Sequence, residues 1–313
     1  MTAVVGVAVM VLLLWLALWT VVARDAFLAV AAFVVYGLLL ALAWVRLAGI
    51  DVALTEAAIG GGLTGALLLG ALGKLQATES GGAPPPPGAG VRWLAAVLAL
   101  AVPATLMIAV LHLPEPAPTL APPVLANLPA NGVANPITGV LLAFRALDTL
   151  LEAIVLVIAL IGVWSLGPDR AWGGRPGPRY TADPSGVLAY LARILPPVGI
   201  VIGIYLFWAG ADHPGGKFQS ATILAAMWML VQMAGLSDSP RTARRGLRAL
   251  IAFGPLAFIG VGVLGLAVTG TFLAYPDGWA KPLILVIEVA LLPTLVLVLA
   301  LLMNGPSQRK AQP

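Results

Sequence analysis

The chain has 313 residues, 60% of them hydrophobic and only 10% charged, with a mean hydropathy of +1.01. This excludes a water-soluble globular domain and makes lipid the solvent. With no cysteine and two histidines, His112 and His213, a disulfide scaffold, iron–sulfur chemistry and a cysteine nucleophile are excluded, and little is left for zinc, haem or a Ser-His-Asp triad.

A bilayer core needs about 20 apolar residues per helix. Such runs recur at residues 3–23, 26–46, 51–73, 92–112, 136–164, 187–208, 217–236, 249–270 and 280–303. They predict an all-α integral membrane protein with nine transmembrane helices. The first run lacks a basic leader and exceeds a signal peptide's apolar core, so it reads as a true span.

Nine spans place the loops on two sides. Thirteen of the seventeen lysines and arginines, from Arg24, Lys74 and Arg92 through the Arg241–Arg248 cluster to Arg309 and Lys310, fall on one side. Arg46, Lys217 and Lys281 fall on the other, and Arg145 lies within a span. The positive-inside rule then sets the N-terminus outside and the C-terminus in the cytoplasm. It also explains the net charge of +4 without nucleic acid.

Residues 76–91, with Pro84 to Pro87 at their centre, read as a stiff, non-helical cytoplasmic linker, and residues 167–186 as a second. They divide the chain into modules at 1–75, 92–166 and 187–313, of three, two and four spans.

Charges inside lipid cost about 2.5–3.5 kcal/mol each on insertion scales, so they need a partner, a proton or a function. In the fifth span Arg145, Asp148 and Glu152 recur at i, i+3 and i+7 on one helical face. Arg145 neutralises one carboxylate; the other needs a second partner or a proton. Glu56, in the third span, adjoins the small-residue run Gly60-Gly61-Gly62 and Gly61-x-x-x-Gly65, which admits a close helix neighbour. Asp51 reads as that helix's N-cap. Glu288 is a lone acid in the last span, followed by Pro293. His112 and His213 are candidates for an outer entrance. The outer turn His213-Pro214-Gly215-Gly216-Lys217-Phe218 reads as a glycine-permitted tight turn that starts a helix, not as a nucleotide loop. No buried lysine is evident in any span, and no pair of broken helices is legible.

Three of these segments resemble one family. Asp51-Val52-Ala53-Leu54-Thr55-Glu56-Ala57 followed by glycines resembles the small module (MbhD-like) at the C-terminal end of the large A subunit of Mrp-type sodium/proton antiporters, found also in membrane-bound hydrogenase complexes. Asn135-Pro136-Ile137-Thr138 leading to Phe144-Arg145-Ala146-Leu147-Asp148-Thr149-Leu150-Leu151-Glu152 resembles the next module of that subunit (MbhE-like). The turn at 213–218 with its four spans resembles the B subunit (MnhB-like), departing from Pro-Gly-Gly-Gly-Phe at Lys217. The resemblance implies a fused subunit of a multisubunit antiporter in a prokaryotic cytoplasmic membrane. It would exchange Na+ or another monovalent cation for H+, with large antiporter-like subunits as partners, no cofactor and no enzymatic reaction. Glu56, Asp148 and Glu152 then match acids on the ion path, and Glu288 matches a frequently acidic position. A structural subunit with paired acids, and the same module in a complex I-like redox assembly, are the competing readings.

Overall fold

The computed structural model describes residues 2–78, 88–116, 118–181 and 183–310. The proline run of the first linker lies outside the described residues. Its flanks are helical, contrary to expectation: one helix runs on to Thr78 and the next begins at Ala89.

Helices α1 (Thr2–Val22) and α2 (Ala26–Arg46) form a hairpin. Asp25 caps α2, its carboxylate accepting the Leu28 N–H at 2.8 Å and satisfying one orphan donor of the helix start. The third span is composite, with α3 (Ile50–Thr55), a π-helical stretch Glu56–Leu63 and α4 (Thr64–Thr78). After α5 (Ala89–Leu111) comes a short helix the hydropathy pattern does not reveal, α6 (Ala121–Asn131), started by Pro122 and Pro123. The fifth span comprises α7 (Pro136–Gly139), a π turn Val140–Phe144 and α8 (Ala146–Ser165). A four-helix module follows, α9 (Val187–Ala209), α10 (Lys217–Met233), α11 (Arg245–Thr269) and α12 (Ala280–Asn304).

Among the described residues eight helices are long and apolar enough to cross a membrane by length and composition alone. The expected seventh, α10, has 17 residues, about 26 Å of helix, at the short end of what spans a bilayer. Loop contacts nevertheless place its two ends on opposite faces. On one face, Asn135 Nδ2 donates to Gly210 O, His213 O and Asp51 Oδ1, and Lys281 pairs with Asp212 at 2.8 Å. On the other, strand β1 (Arg175–Pro176) pairs with β2 (Ser307–Arg309), and Asp238 binds both Arg175 and Arg309. Since α10 joins the 210–216 loop to the 234–244 loop, it traverses the layer. Its length is short because the preceding turn is recessed: Gly216 N–H donates to Leu206 O at 2.9 Å, beside the last turn of α9.

The second expected linker, 167–186, is largely folded into the Asp238 face. Thr242 N–H donates to Gly174 O at 2.9 Å, and Ser239 Oγ donates to Pro176 O.

The core lies around α12, with Ile284, Ile287, Leu291, Leu295 and Val298 almost wholly buried against Phe258 of α11, Leu142 of the π turn and Leu160 of α8. Pro255 is tolerated inside α11 because Thr294 bridges the adjacent turn, accepting from Gly254 N–H and donating to Leu250 O.

Candidate functional site

In the third span the glycine run permits the π stretch, and Thr64 Oγ1 donates to Ile59 O at 2.9 Å, satisfying a carbonyl that regular winding would bond differently. Such π segments concentrate at functional positions. Half-buried Glu56 opens the stretch, and its carboxylate lies over Gly60, in the space a Cβ there would fill. Gly61 meets Gly37 of α2 backbone to backbone. Asp51 is not the expected N-cap, a place Gly49 takes without a side-chain bond. Its carboxylate instead accepts from Gly215 N–H at 3.0 Å and from Asn135 Nδ2, joining the third span to the fifth and to the turn before α10. Gln219 of α10 adds a bond to Thr55 Oγ1 at 2.9 Å.

The fifth span is broken at Arg145, whose φ of −131° and ψ of 38° leave the helical region. Two carbonyls at the break accept bonds from the side, Leu141 O from Thr149 Oγ1 and Leu142 O from Tyr275 Oη, each at 2.5 Å. Non-helical backbone at membrane depth is tolerated where it is satisfied in this way. Arg145 pairs with Asp148 at 2.6 Å, as its immersion in lipid demands. Glu152 stands one turn further along α8. All three side chains are exposed on the surface of this chain. The absence of broken helices expected from the sequence is thus corrected: the third and fifth spans both depart from α-helical winding beside their acids.

A second correction concerns Lys217 and Glu288. Lys217 is the first residue of α10, recessed with its turn, and is 4% exposed. Its ammonium lies 3.7 Å from a Glu288 carboxylate oxygen, and Glu288 is at least as deeply buried. Glu288 is therefore not a lone acid. The Phe218 ring lies 5.7 Å from the same ammonium. The turn chemistry that makes this possible is glycine's: Gly215 and Gly216 have φ of 150° and 137°. A Cβ at Gly210 would stand 2.5 Å from Gly216 Cα.

The histidines stay at the surface. His112 Nδ1 is 2.8 Å from Ile108 O at the end of α5, and His213 contributes its backbone carbonyl to Asn135. Beside it, Lys281 holds the Asp212 carboxyl below the usual carboxylate range, with help from Ala134 N–H and the nearby His213. Among the described residues no group of three metal-ligating side chains forms.

Two family models match. One is MbhD, a component of MBH, over residues 2–77, and the other is described as a domain related to the MnhB subunit of Na+/H+ antiporter, over residues 187–305. The solved Mrp complex from Dietzia sp. DQ12-45-1b contains a chain that superposes with a TM-score of 0.71 at 26% identity, covering 98% of this chain and 35% of that one. The chain is an Mrp-type subunit fusing MbhD-like and MnhB-like parts. An archaeal membrane-bound sulfane sulfur reductase shares the fold, with a TM-score of 0.54 at 24% identity over 68% of this chain and 97% of that one. An uncharacterized protein of Methanocaldococcus jannaschii is 27% identical over 165 residues, which are 45% of this chain and 60% of that protein. The Mrp-type subunit thus spans about three fifths of that curated relative and about a third of the Dietzia chain.

In this Mrp-type subunit Glu56 lies in the MbhD-matched part and Glu288 with Lys217 in the MnhB-matched part, while Arg145, Asp148 and Glu152 lie in the stretch between the two matches. The fold brings that stretch against the MnhB-like helices, for Leu142, Leu150 and Ala153 share one core with Phe258 and Ile287.

Proposed function

We propose that this chain is a membrane subunit of a multisubunit monovalent cation/proton antiporter, with Na+ as the cation and with large antiporter-like subunits as partners. Glu56, Asp148, Glu152 and Glu288 contribute to the ion and proton path, His112 and His213 flank its outer entrance, and residues 92–166 form an MbhE-like module. The observation that carries the reading is the broken fifth span, which presents Asp148 and Glu152 in a chain that also buries a lysine–glutamate pair and superposes over 98% of its length on a chain of an Mrp complex. A purely structural subunit would pair its acids; here neither Glu56 nor Glu152 forms an ion pair among the described residues, which favours transport.

The orientation follows the basic residues, with the Asp238 face cytoplasmic and the Asp212 face outside. Cysteines placed at 83–87 should label from the cytoplasmic side only.

The test is to measure sodium-dependent proton movement in everted vesicles containing the assembled complex. Asp148→Asn and Glu152→Gln should abolish exchange while partner subunits still copurify. Full exchange in both variants would leave the chain a structural subunit.

A further inference from the structure

The turn before α10 is held by side chains from both earlier parts of the chain. From the third span, Asp51 Oδ1 accepts the Gly215 N–H at 3.0 Å and Asn135 Nδ2 at 3.3 Å. Two residues past Lys217, Gln219 Nε2 donates to Thr55 Oγ1 at 2.9 Å and to Asp51 O at 3.4 Å. The third span therefore grips the chain on either side of Lys217. From the start of the fifth span, Asn135 Nδ2 reaches Gly210 O at 3.2 Å and His213 O at 3.0 Å, and Thr138 Oγ1 donates to Gly210 O. The turn also sits tightly on α9, since a Cβ at Gly215 would stand 2.5 Å from Leu206 O.

We infer that Asp51 is a positioning residue for Lys217: by accepting the Gly215 N–H it keeps the turn recessed, and the recess places the Lys217 ammonium against Glu288. The reason lies in the backbone donors. Gly215 and Gly216 are buried and lie outside helical winding, so their N–H groups must find acceptors elsewhere. Gly216 N–H takes Leu206 O and Gly215 N–H takes Asp51. A buried N–H left without an acceptor is strongly unfavourable. Without the carboxylate, the turn regains a partner for Gly215 by rising to water, and it carries Lys217, two residues on, with it. Lys217 pulls the same way, because an ammonium on a flexible stem reaches for water unless it is held. Asp51 makes both side-chain bonds through one oxygen, to neutral donors, and forms no ion pair among the described residues. The role thus needs an acceptor and not a charge. An aspartate in the MbhD-matched part sets the depth of a lysine in the MnhB-matched part.

The experiment is amine labelling of the assembled complex in mild detergent with a water-soluble succinimidyl ester, read at each lysine by peptide mass mapping. The half-exposed Lys281 on the same face is the internal standard. In the wild type Lys217 should stay protected while Lys281 reacts. Asp51→Leu removes the acceptor at similar size and should raise Lys217 labelling relative to Lys281 on the order of tenfold, the shift that loss of one buried acceptor gives. Asp51→Asn keeps an acceptor oxygen and should leave Lys217 as protected as in the wild type. A reactive Lys217 in the wild type, a protected one in Asp51→Leu, or an unmasked one in Asp51→Asn would overturn the inference. Should Asp51→Leu fail to assemble, Asp51→Asn decides: assembly with Lys217 protected supports the acceptor role, and loss of assembly overturns it. Sodium-dependent proton movement in everted vesicles adds an arm that rests on the antiporter reading, with exchange lost in Asp51→Leu and kept in Asp51→Asn. Loss of exchange in Asp51→Asn with Lys217 still protected would make residue 51 a charge carrier and overturn the inference. Absence of exchange in wild-type vesicles would overturn the antiporter reading instead, and the labelling would still decide the role of Asp51.

Discussion

Helices α5 and α12 are near twins, 23 and 25 residues long and almost wholly apolar, yet α5 buries no residue within this chain and α12 buries about half of its own. Hydropathy therefore reports that a segment avoids water but not whether its neighbours are lipid or protein. Polar side chains inside the span make the distinction. α12 carries Glu288, Thr294 and Asn304, engaged by Lys217, by the Gly254 and Leu250 backbone and by Gln232. α5 offers only Thr105 mid-helix, and that hydroxyl bonds back to Ala101 O. The same contrast separates the chain's halves. Residues 121–310 share a common core, while α1, α2 and α5 leave broad apolar faces, such as Leu14, Leu18, Trp93 and Leu100, for lipid or for partner subunits.

The contrast breaks if equal truncations cost equally. Phe258→Ala, at a site with no exposure, should destabilise the purified chain by about 3–5 kcal/mol. Leu100→Ala, at 71% exposure on α5, should fall within about 0.5 kcal/mol. Thermal unfolding in one detergent compares the two, and similar losses would erase the distinction.

The N-terminal part is held by close backbone approach rather than by large side chains. A Cβ at Gly37 would meet Gly61 Cα at 2.9 Å, so Gly37→Leu should separate α2 from the third span at about 1–3 kcal/mol. Crosslinking between cysteines on α2 and on the third span should fall. Undiminished crosslinking would mean that the small-residue seam is incidental.

The smallest effect belongs to the surface. Asp212 is kept ionised below its usual range, first by Lys281, so its contribution is present above about pH 4 and is lost as pH falls through the lowered value. Because both groups are well exposed, Lys281→Met should cost at most about 1 kcal/mol at neutral pH. That difference should shrink in acid. A penalty that grew on acidification would contradict the pairing.

Much of this architecture is legible in the sequence because lipid enforces long apolar runs: the segment 187–208 is α9 to within a residue, and 280–303 is α12. The Arg145–Asp148 contact was readable for the same reason, since a guanidinium in lipid must find an acid. Lys217 was not readable. Flanked by Pro214, Gly215 and Gly216, it looks like an outer-loop residue, and only the recessed turn places it inside. Two signals point to it in retrospect, namely the shortness of α10 and the polar run Lys217, Gln219, Ser220 and Thr222 at its start, all of them buried. The π turns leave no periodicity of their own, although the Gly60-Gly61-Gly62 run marks where one is tolerated. Helix α6 hides because it is short and carries three prolines, of which Pro122 and Pro123 occupy the first turn, where they are tolerated, and Pro129 lies near its end.

The most direct test of the central claim, that Glu152 lies on the ion path, is sodium uptake into vesicles of the assembled complex driven by an imposed proton gradient. Uptake should be lost in Glu152→Gln, with partner subunits still copurifying, and retained in a Thr105→Ala control on α5. Uptake by Glu152→Gln at the wild-type rate would contradict the account and move the path elsewhere in the complex.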